Sequence, residues 1–404
     1  MKKLGFKGFL FLVPLLVLLG VFSLWPVVQS FAYTFFDYQL NDQQKSGLYV
    51  NERFNVDLYS ETSLYVSMFL EEEANNINDT TDKENIAKIV SRVNETADQY
   101  KNEKKVIKIS KDQRAEIEKL YKDSRALLKD LNQKYELIHK QDLPDLIDDF
   151  QNSIIPSNFI GLDGYKKALT DERIGIAFWN TLLFTLVSVF LEFVLGLGLA
   201  LILNKAMFGR GIIRTTSLIP WAIPTAVAAL MWSYLYDGNS GIIAMFFENL
   251  GLVEDSRNLL LSGAGAMTST ILADVWKTTP YMALLLLAGL QNISPALYEA
   301  ASIDGAGKIQ SFFRVTLPLL KPSILVALLF RTLDAFRVFD LIYVLTGGGP
   351  GGATETLSIY TYKVMFAQTN FGYGSVVVML MFLCVAIIAV IFVKVLGTNL
   401  MEKS

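Results

Sequence analysis

Cysteine and histidine are almost absent from this sequence of 404 residues, and each occurs once, as Cys384 and His139. A disulfide-stapled secreted domain is excluded, because a disulfide needs two cysteines. A catalytic triad or a metal site built on histidine is excluded from the apolar part of the chain, since His139 lies in a polar segment. The sequence has no G-x-x-x-x-G-K-[ST] loop for ATP. We therefore predict no catalytic residue, no metal site and no cofactor.

Charge is also scarce, because only 19% of the residues are charged and 52% are hydrophobic. The charges that are present concentrate in residues 37–177, where acidic residues outnumber basic ones, whereas the remainder is mildly basic. So apolar a composition excludes a disordered protein. A nucleic-acid binder is not expected, because no long basic stripe occurs.

Long uncharged runs are the main positive feature of the sequence. They cover residues 8–36, 215–236, 278–298 and 364–393. Residues 174–203 and 319–346 are similarly apolar but carry isolated charges. A bilayer core of about 30 Å is crossed by about 20 residues of apolar helix. We therefore predict six membrane helices, at 9–36, 176–203, 212–236, 266–290, 320–346 and 373–397.

The predicted fold class is an all-α polytopic membrane protein with a mainly helical extracytoplasmic insert between the first two of its six membrane helices. Residues 1–36 form the N-terminal segment and the first helix, 37–172 the insert, and 173–404 a five-helix core. The first apolar run is too long for a cleaved signal peptide, and no good cleavage site follows it. We expect it to remain as an anchor.

The basic residues predict the orientation, because short cytoplasmic loops are enriched in lysine and arginine. With both termini in the cytoplasm, the two short outer loops contain only Arg257 and Lys363. The basic residues on the cytoplasmic side are Lys2, Lys3, Lys7, Lys205, Arg210, Arg214, Lys308, Arg314, Lys321, Lys394 and Lys403.

The insert contains two amphipathic patterns. Apolar residues recur at helical spacing across 86–100 and again across 117–138, which predicts two helices. Residues 48–70 fit either a strand or a helix, and 71–73, three glutamates followed by a polar stretch, predict a loop. The charged faces fit either a solvated surface or a docking surface for a soluble partner.

The segment 291–322, between the fourth and fifth predicted membrane helices, has the pattern of helix, glycine and helix. Ser294 followed by proline is a helix-start signal. Gly305 allows a sharp bend, since glycine tolerates backbone angles that other residues avoid. We expect Pro318 and Pro322 to end this segment before the next membrane helix.

Within this segment the sequence resembles the membrane subunits of binding-protein-dependent ABC importers. Their pattern E-A-A-x3-G-x9-I-x-L-P is matched except that Val315 replaces the isoleucine. Residues 276–282, 304–307 and 345–350 are similar to the carbohydrate-uptake branch of maltose-type permeases. The resemblance covers roughly 1–36 and 160–400 and leaves the insert aside.

The resemblance implies a permease in the plasma membrane of a bacterium or archaeon. Its partners would be two ATP-binding subunits, a second permease subunit and an extracytoplasmic binding protein that delivers a sugar or related polyol. The short helix at 294–304 would dock into an ATP-binding subunit, where ATP is hydrolysed. The residues implied in this coupling are Glu299, Ala300, Ala301, Asp304, Gly305, Leu317 and Pro318.

Ionisable residues inside membrane helices are costly and usually face a cavity or a partner. In the resembled family the helices beside the coupling segment line the sugar path. The residues expected to line it here are Asp274, Lys277, Thr278, Tyr281, Arg331 and Asp334. The alternative is that these charges form ion pairs between helices or with the second permease subunit. Glu192 fits a residue buried against another helix better than a ligand.

A secondary transporter driven by an ion gradient is the alternative function. Such transporters often show inverted repeats, and we detect none in this sequence.

Overall fold

The computed structural model describes residues 6–205 and 209–401. Lys2, Lys3 and Lys403, which support the predicted orientation, lie outside these residues. The chain divides into two compact units. The first contains the residues up to Gly164 together with Thr369–Tyr373, and the second contains Tyr165–Gln368 and the residues from Gly374 onwards.

The first unit begins with apolar helices and continues into the insert. Its helices are α1 (Phe6–Leu19), α2 (Trp25–Tyr33), α3 (Val56–Asn76), α4 (Thr80–Tyr100), α5 (Lys111–Lys134) and α6 (Asp142–Asn152), and a π-helical turn, Gly20–Leu24, joins the first two. The antiparallel sheet has the strand order β2 (Val106–Lys108), β1 (Arg53–Asn55), β3 (Ile154–Ile155).

The two helices predicted in the insert are present as α4 and α5. Each begins at a polar cap, with Asp79 accepting backbone N–H groups at the start of α4 and Ser110 doing so at the start of α5. The predicted second helix extended too far, because α5 ends at Lys134 and Ile138 lies beyond it, 60% exposed.

The loop predicted at 71–73 is wrong, because α3 continues through these glutamates to Asn76. Glu73 is buried, and its carboxylate accepts the backbone N–H of His139 at 2.7 Å. The ring of His139 stacks on Phe69, with 3.9 Å between centroids, and its Nε2 lies 2.9 Å from a carboxylate oxygen of Glu72. Local polarity predicted a loop, but these distant partners satisfy the carboxylates within a helix.

The second unit contains the remaining helices. They are α7 (Asp163–Thr170, which begins in the first unit), α8 (Glu172–Asn204), α9 (Arg210–Ser217), α10 (Ile219–Ala222), α11 (Thr225–Leu235), α12 (Ile242–Asn249), α13 (Gly263–Gln291), α14 (Pro295–Ile303), α15 (Lys308–Ser311), α16 (Leu317–Phe336), α17 (Asp340–Leu345), α18 (Leu357–Tyr362) and α19 (Phe371–Met401, which also begins in the first unit). A 3₁₀ turn covers Ser256–Asn258, and π-helical turns cover Phe312–Thr316 and Lys363–Ala367.

Five helical runs in the described residues are long and apolar enough to cross a membrane. They are Leu12–Tyr33, Glu172–Asn204, Gly263–Gln291, Lys308–Phe336 and Phe371–Val395. The mainly helical, multi-pass architecture is therefore confirmed. The count of six membrane helices stays a prediction.

The predicted third membrane helix at 212–236 is not continuous. It is divided into α9, α10 and α11, of which α11 is apolar but has only 11 residues. Ile223 adopts an extended conformation between α10 and α11. The residue before a proline is pushed out of the helical region, and Pro224 follows Ile223. Pro220 and Pro224 were therefore visible signals for this division.

The expected stop at Pro318 and Pro322 is also wrong. Residues from Lys308 to Phe336 form one helical run, with Pro318 in the first turn of α16 and Pro322 inside it. A π-helical turn lies directly before α16, and in it the backbone N–H of Leu317 donates to the carbonyl of Phe312, five residues earlier. This run ends at Arg337, so the predicted fifth helix at 320–346 is divided before α17.

Substitution of Leu131 by alanine tests the core of the insert. Leu131 is fully buried, so Leu131→Ala is expected to destabilise the insert by about 2–5 kcal/mol through lost burial and a residual cavity. Hydrogen exchange of α4 and α5 in the purified protein measures the effect. Leu64→Ala is the matched control, because Leu64 is 67% exposed. Equal protection in the two variants would contradict this assignment of the core.

Candidate functional site

A network of charged side chains lies among α8, α13 and α16. At its centre is Arg331, which is 1% exposed. Its Nε donates to Glu192 at 2.5 Å, and its Nη2 donates to Glu192 at 2.7 Å and to Asp274 at 3.0 Å. Its Nη1 donates to Asp334 at 2.5 Å. One guanidinium thus binds carboxylates from three helices, as its planar fork of donors allows.

Close packing of α8 against α13 brings these residues together. Gly196 on α8 faces Met282 and Ala283 on α13, and a Cβ at this glycine would lie 2.7 Å from the Cγ of Met282. A larger residue would therefore separate the two helices. The hydroxyl oxygen of Thr278, on α13, lies 2.7 Å from the Glu192 carboxylate and 2.6 Å from the backbone carbonyl oxygen of Asp274, and its single O–H donates to one of these two acceptors.

Lys277 connects α13 to the division between α10 and α11. Its ammonium donates to the carbonyl oxygens of Trp221 at 3.1 Å and Ile223 at 2.8 Å. These carbonyls lie at the C-terminal end of α10, where no following turn of helix is present to bond them. A cation is favourable at such an end because it satisfies the carbonyls and complements the helix dipole.

A cavity of about 240 Å³ opens beside the network. Five of the six residues predicted for the substrate path line it: Asp274, Lys277, Thr278, Arg331 and Asp334. Asp334 is the exposed member of this group, whereas Arg331 and Glu192 are enclosed by their partners. Arg337 and Asp340 also line the cavity, so its wall carries both signs of charge.

Tyr281 does not line this cavity. Its ring stacks on Trp221, with 5.3 Å between centroids and 13° between planes, and Trp221 does line the cavity. Tyr281 therefore contacts the cavity wall through Trp221, a residue that the sequence analysis did not single out. Arg331 and Asp334, three residues apart on α16, form an ion pair within that helix. Glu192 is buried against another helix, as expected.

The predicted coupling segment forms α14 followed by a tight turn. Gly305 has a φ of +80°, a left-handed conformation that favours glycine. The backbone N–H of Ala306 donates to the carbonyl of Ala301 at 2.9 Å, which ends α14. Glu299 and Ala300 are exposed, whereas Ala301 is half-buried. Asp304 caps the helix C-terminus and is exposed.

Leu317 and Pro318 lie apart from this turn, in the first turn of α16. Leu317 is half-buried and Pro318 is exposed. Large apolar side chains near α14 are exposed, namely Leu297, Ile303, Ile309 and Phe313. Exposed apolar groups of this kind are typical of a contact with another protein or with the membrane.

Sequence reasoning also missed an ion cluster around Glu355. Its carboxylate accepts from Nε and Nη2 of Arg173, at 2.8 and 2.9 Å, and from Lys363 at 2.9 Å. Burial by itself would raise the pKa of Glu355, but the hydrogen bonds from Arg173 and Lys363 outweigh it and hold this pKa below its usual value. The glycine-rich stretch before Glu355 forms turns with positive φ at Gly347, Gly348, Gly351 and Gly352.

Comparison with known families identifies the class of protein. The family of binding-protein-dependent transport system inner membrane components matches residues 192–401, which is more than half of the chain. The chain belongs to this family. It is the membrane-spanning permease subunit of an ATP-driven importer, with ATP hydrolysis in a separate subunit, and the ion-gradient alternative is excluded.

Relatives within the family are similar over more than half of the chain. The chain is 46% identical over 237 residues to the trehalose/maltose transport system permease protein MalF of Thermococcus litoralis. This match covers 59% of this chain and 79% of that relative. The chain is also 47% identical over 241 residues to the trehalose transport system permease protein SugA of Mycobacterium tuberculosis. This second match covers 59% of this chain and 75% of that relative.

A solved structure supports the fold. It is a bacterial ABC transporter involved in the import of the acidic polysaccharide alginate, with a TM-score of 0.54 and 24% identity. The match covers 59% of this chain and 84% of that chain.

Removal of the central cation is expected to be strongly destabilising. Arg331→Met leaves Glu192 and Asp274 buried without their partner, which costs about 3–5 kcal/mol when a buried pair is broken. Thermal unfolding of the purified protein measures the loss.

Arg337→Met is the matched control for this experiment. Arg337 is exposed and donates only to the backbone carbonyl of Leu333 among the described residues. Addition of Glu192→Gln to Arg331→Met removes one unpaired charge and is expected to restore part of the stability. Equal melting temperatures for the Arg331 and Arg337 variants would show that the network is not structural.

Proposed function

We propose that this permease translocates a sugar or a related polyol delivered by an extracytoplasmic binding protein. The observation that carries this proposal is the cavity beside the charged network, whose wall combines Lys277 and Arg337 with Asp334 and Asp340. Carboxylates accept hydrogen bonds from hydroxyl groups, and cationic side chains donate to their oxygens. Charges of both signs suit a neutral, polyhydroxylated ligand. The relatives named above are permeases for trehalose and maltose or for trehalose, which supports a sugar as the substrate class.

Within the cavity, the accessible groups are assigned to the substrate and the enclosed ones to the scaffold. Asp334 contacts the ligand in this proposal, and the buried side chains of Lys277, Asp274 and Thr278 border it. Arg331 has its donors occupied by carboxylates, so it positions Asp334 instead of binding sugar. Tyr281 supports Trp221, whose ring offers a flat apolar face to a pyranose.

The remaining parts of the proposal concern assembly. Two ATP-binding subunits and a second permease subunit complete the transporter, with both termini of this chain in the cytoplasm. The helix α14 docks into a cleft of one ATP-binding subunit, where Glu299 offers a carboxylate and Ala300 a low surface. Closure of the ATP-binding subunits moves α14, and through it the membrane helices.

Copurification tests the proposed assembly. The tagged chain, coexpressed with neighbouring transporter genes, is expected to retain ATP-binding subunits, a second permease and a binding protein. ATPase activity of this complex is then measured with the loaded binding protein across a panel of sugars, including trehalose and maltose. Stimulation by no sugar in the panel would overturn the substrate class and leave the assembly intact.

Gly305 tests the coupling role of α14. Gly305→Ala places a side chain at a φ of +80°, which costs roughly 1 kcal/mol, and is expected to lower uptake more than ATP hydrolysis. Gly307→Ala is the matched control, because Gly307 has a φ of −67° and open space at its Cβ position. Uptake and ATPase rates are measured in the same proteoliposomes. Normal coupling by Gly305→Ala would contradict the assignment.

Asp334 tests the substrate path. Asp334→Ala removes a charged hydrogen-bond acceptor from the cavity wall and is expected to raise the KM for sugar uptake by about tenfold or more. Asp255→Ala serves as the control, because Asp255 pairs with Arg257 and does not line the cavity. An unchanged KM in Asp334→Ala would remove this residue from the path.

A further inference from the structure

A second cavity lies behind the coupling helix. It measures about 550 Å³ and is bounded by the end of α8, the end of α13, α14, α15 and the π-helical turn before α16. It differs from the membrane cavity in every lining residue. It also lies on the inner side of α14, away from the exposed Glu299.

The charge on its wall is of one sign. Lys205, which follows α8, and Lys308, the first residue of α15, both line the cavity, and no carboxylate of a described residue does. Neither lysine forms an ion pair within residues 6–205 and 209–401. A third cation is close, because Arg214 donates to the carbonyl of Leu203 at 3.1 Å, two residues before Lys205.

The rest of the wall is amphipathic. The hydroxyls of Ser302 and Ser311 line it and make no side-chain hydrogen bond to other described residues. Leu290 and Phe312 form an apolar part of the wall. The two cations and the two hydroxyls can donate hydrogen bonds to the oxygens of a phosphate group. The apolar surface beside them can contact a carbon chain attached to that phosphate.

We propose that this cavity binds a phosphate-bearing anion through Lys205 and Lys308, with Ser302 and Ser311 as further donors. Basic pockets between membrane helices on the cytoplasmic side bind lipid headgroups in this way. The side of the membrane rests on the orientation given under the proposed function. The ligand is the phosphodiester headgroup of a lipid or a soluble phosphate ester, which share the same recognition. Since α14 forms one wall, an occupied cavity braces the coupling helix against the ends of α8 and α13.

The test uses the full chain, purified and inserted in nanodiscs. In one arm the discs contain phosphatidylglycerol in a phosphatidylcholine background, and in the other they contain phosphatidylcholine alone with glycerol 3-phosphate in solution. Binding is measured by native mass spectrometry and by titration. The double variant Lys205→Gln/Lys308→Gln is expected to bind the effective probe on the order of tenfold or more weakly. The arm that shows this loss identifies the source of the phosphate.

The matched control is Lys321→Gln/Lys394→Gln. It removes the same charge from two exposed lysines that do not line the cavity. Size-exclusion profiles confirm that both double variants remain folded. The proposal would be overturned if the two double variants bound each probe as well as the unmodified chain does. It would also be overturned if both double variants lost binding to the same extent. Neither ATP nor sugar enters the measurement, so its failure leaves the proposed transport function untouched, and failed transport would not remove the anion site.

Discussion

The arrangement of helices in the second unit depends on the buried guanidinium of Arg331. A charge removed from water is costly unless carboxylates and hydrogen bonds replace its hydration. Glu192 and Asp274 provide that replacement from two other helices, so α8, α13 and α16 have one favourable mutual arrangement in this state. An apolar interface would allow these helices to slide, whereas a fork of directed hydrogen bonds does not. Asp334, held by the same guanidinium, is thereby aimed at the cavity.

The same guanidinium joins the two helices on either side of the predicted coupling segment. The helix α14 lies in sequence between α13 and α16, which carry Asp274 and Arg331. The predicted third membrane helix is different, because it is divided at Ile223, whose carbonyl accepts a hydrogen bond from Lys277. Under the proposed coupling role, a movement of α14 would act on the helices that the guanidinium joins.

Much of the fold was predictable, because long apolar runs and helical periodicity are local properties. Four of the six predicted membrane helices are present with ends that differ by a few residues. The misplaced elements have identifiable causes. Pro224 divides a run that hydropathy alone treats as continuous, whereas Pro322 lies inside α16 without ending it. In the insert, Glu73 is helical because a distant backbone N–H satisfies it.

The sequence by itself determined the class of protein and the multi-pass architecture, and it predicts the coupling motif, since each follows from composition or from spacing over a few turns. It also pointed to Asp274, Lys277, Thr278, Arg331 and Asp334, because charges in apolar helices are conspicuous. Only the tertiary structure decided which charges pair and which face the cavity. Arg331 meets Glu192 across 139 positions of sequence, and such a meeting depends on how helices pack.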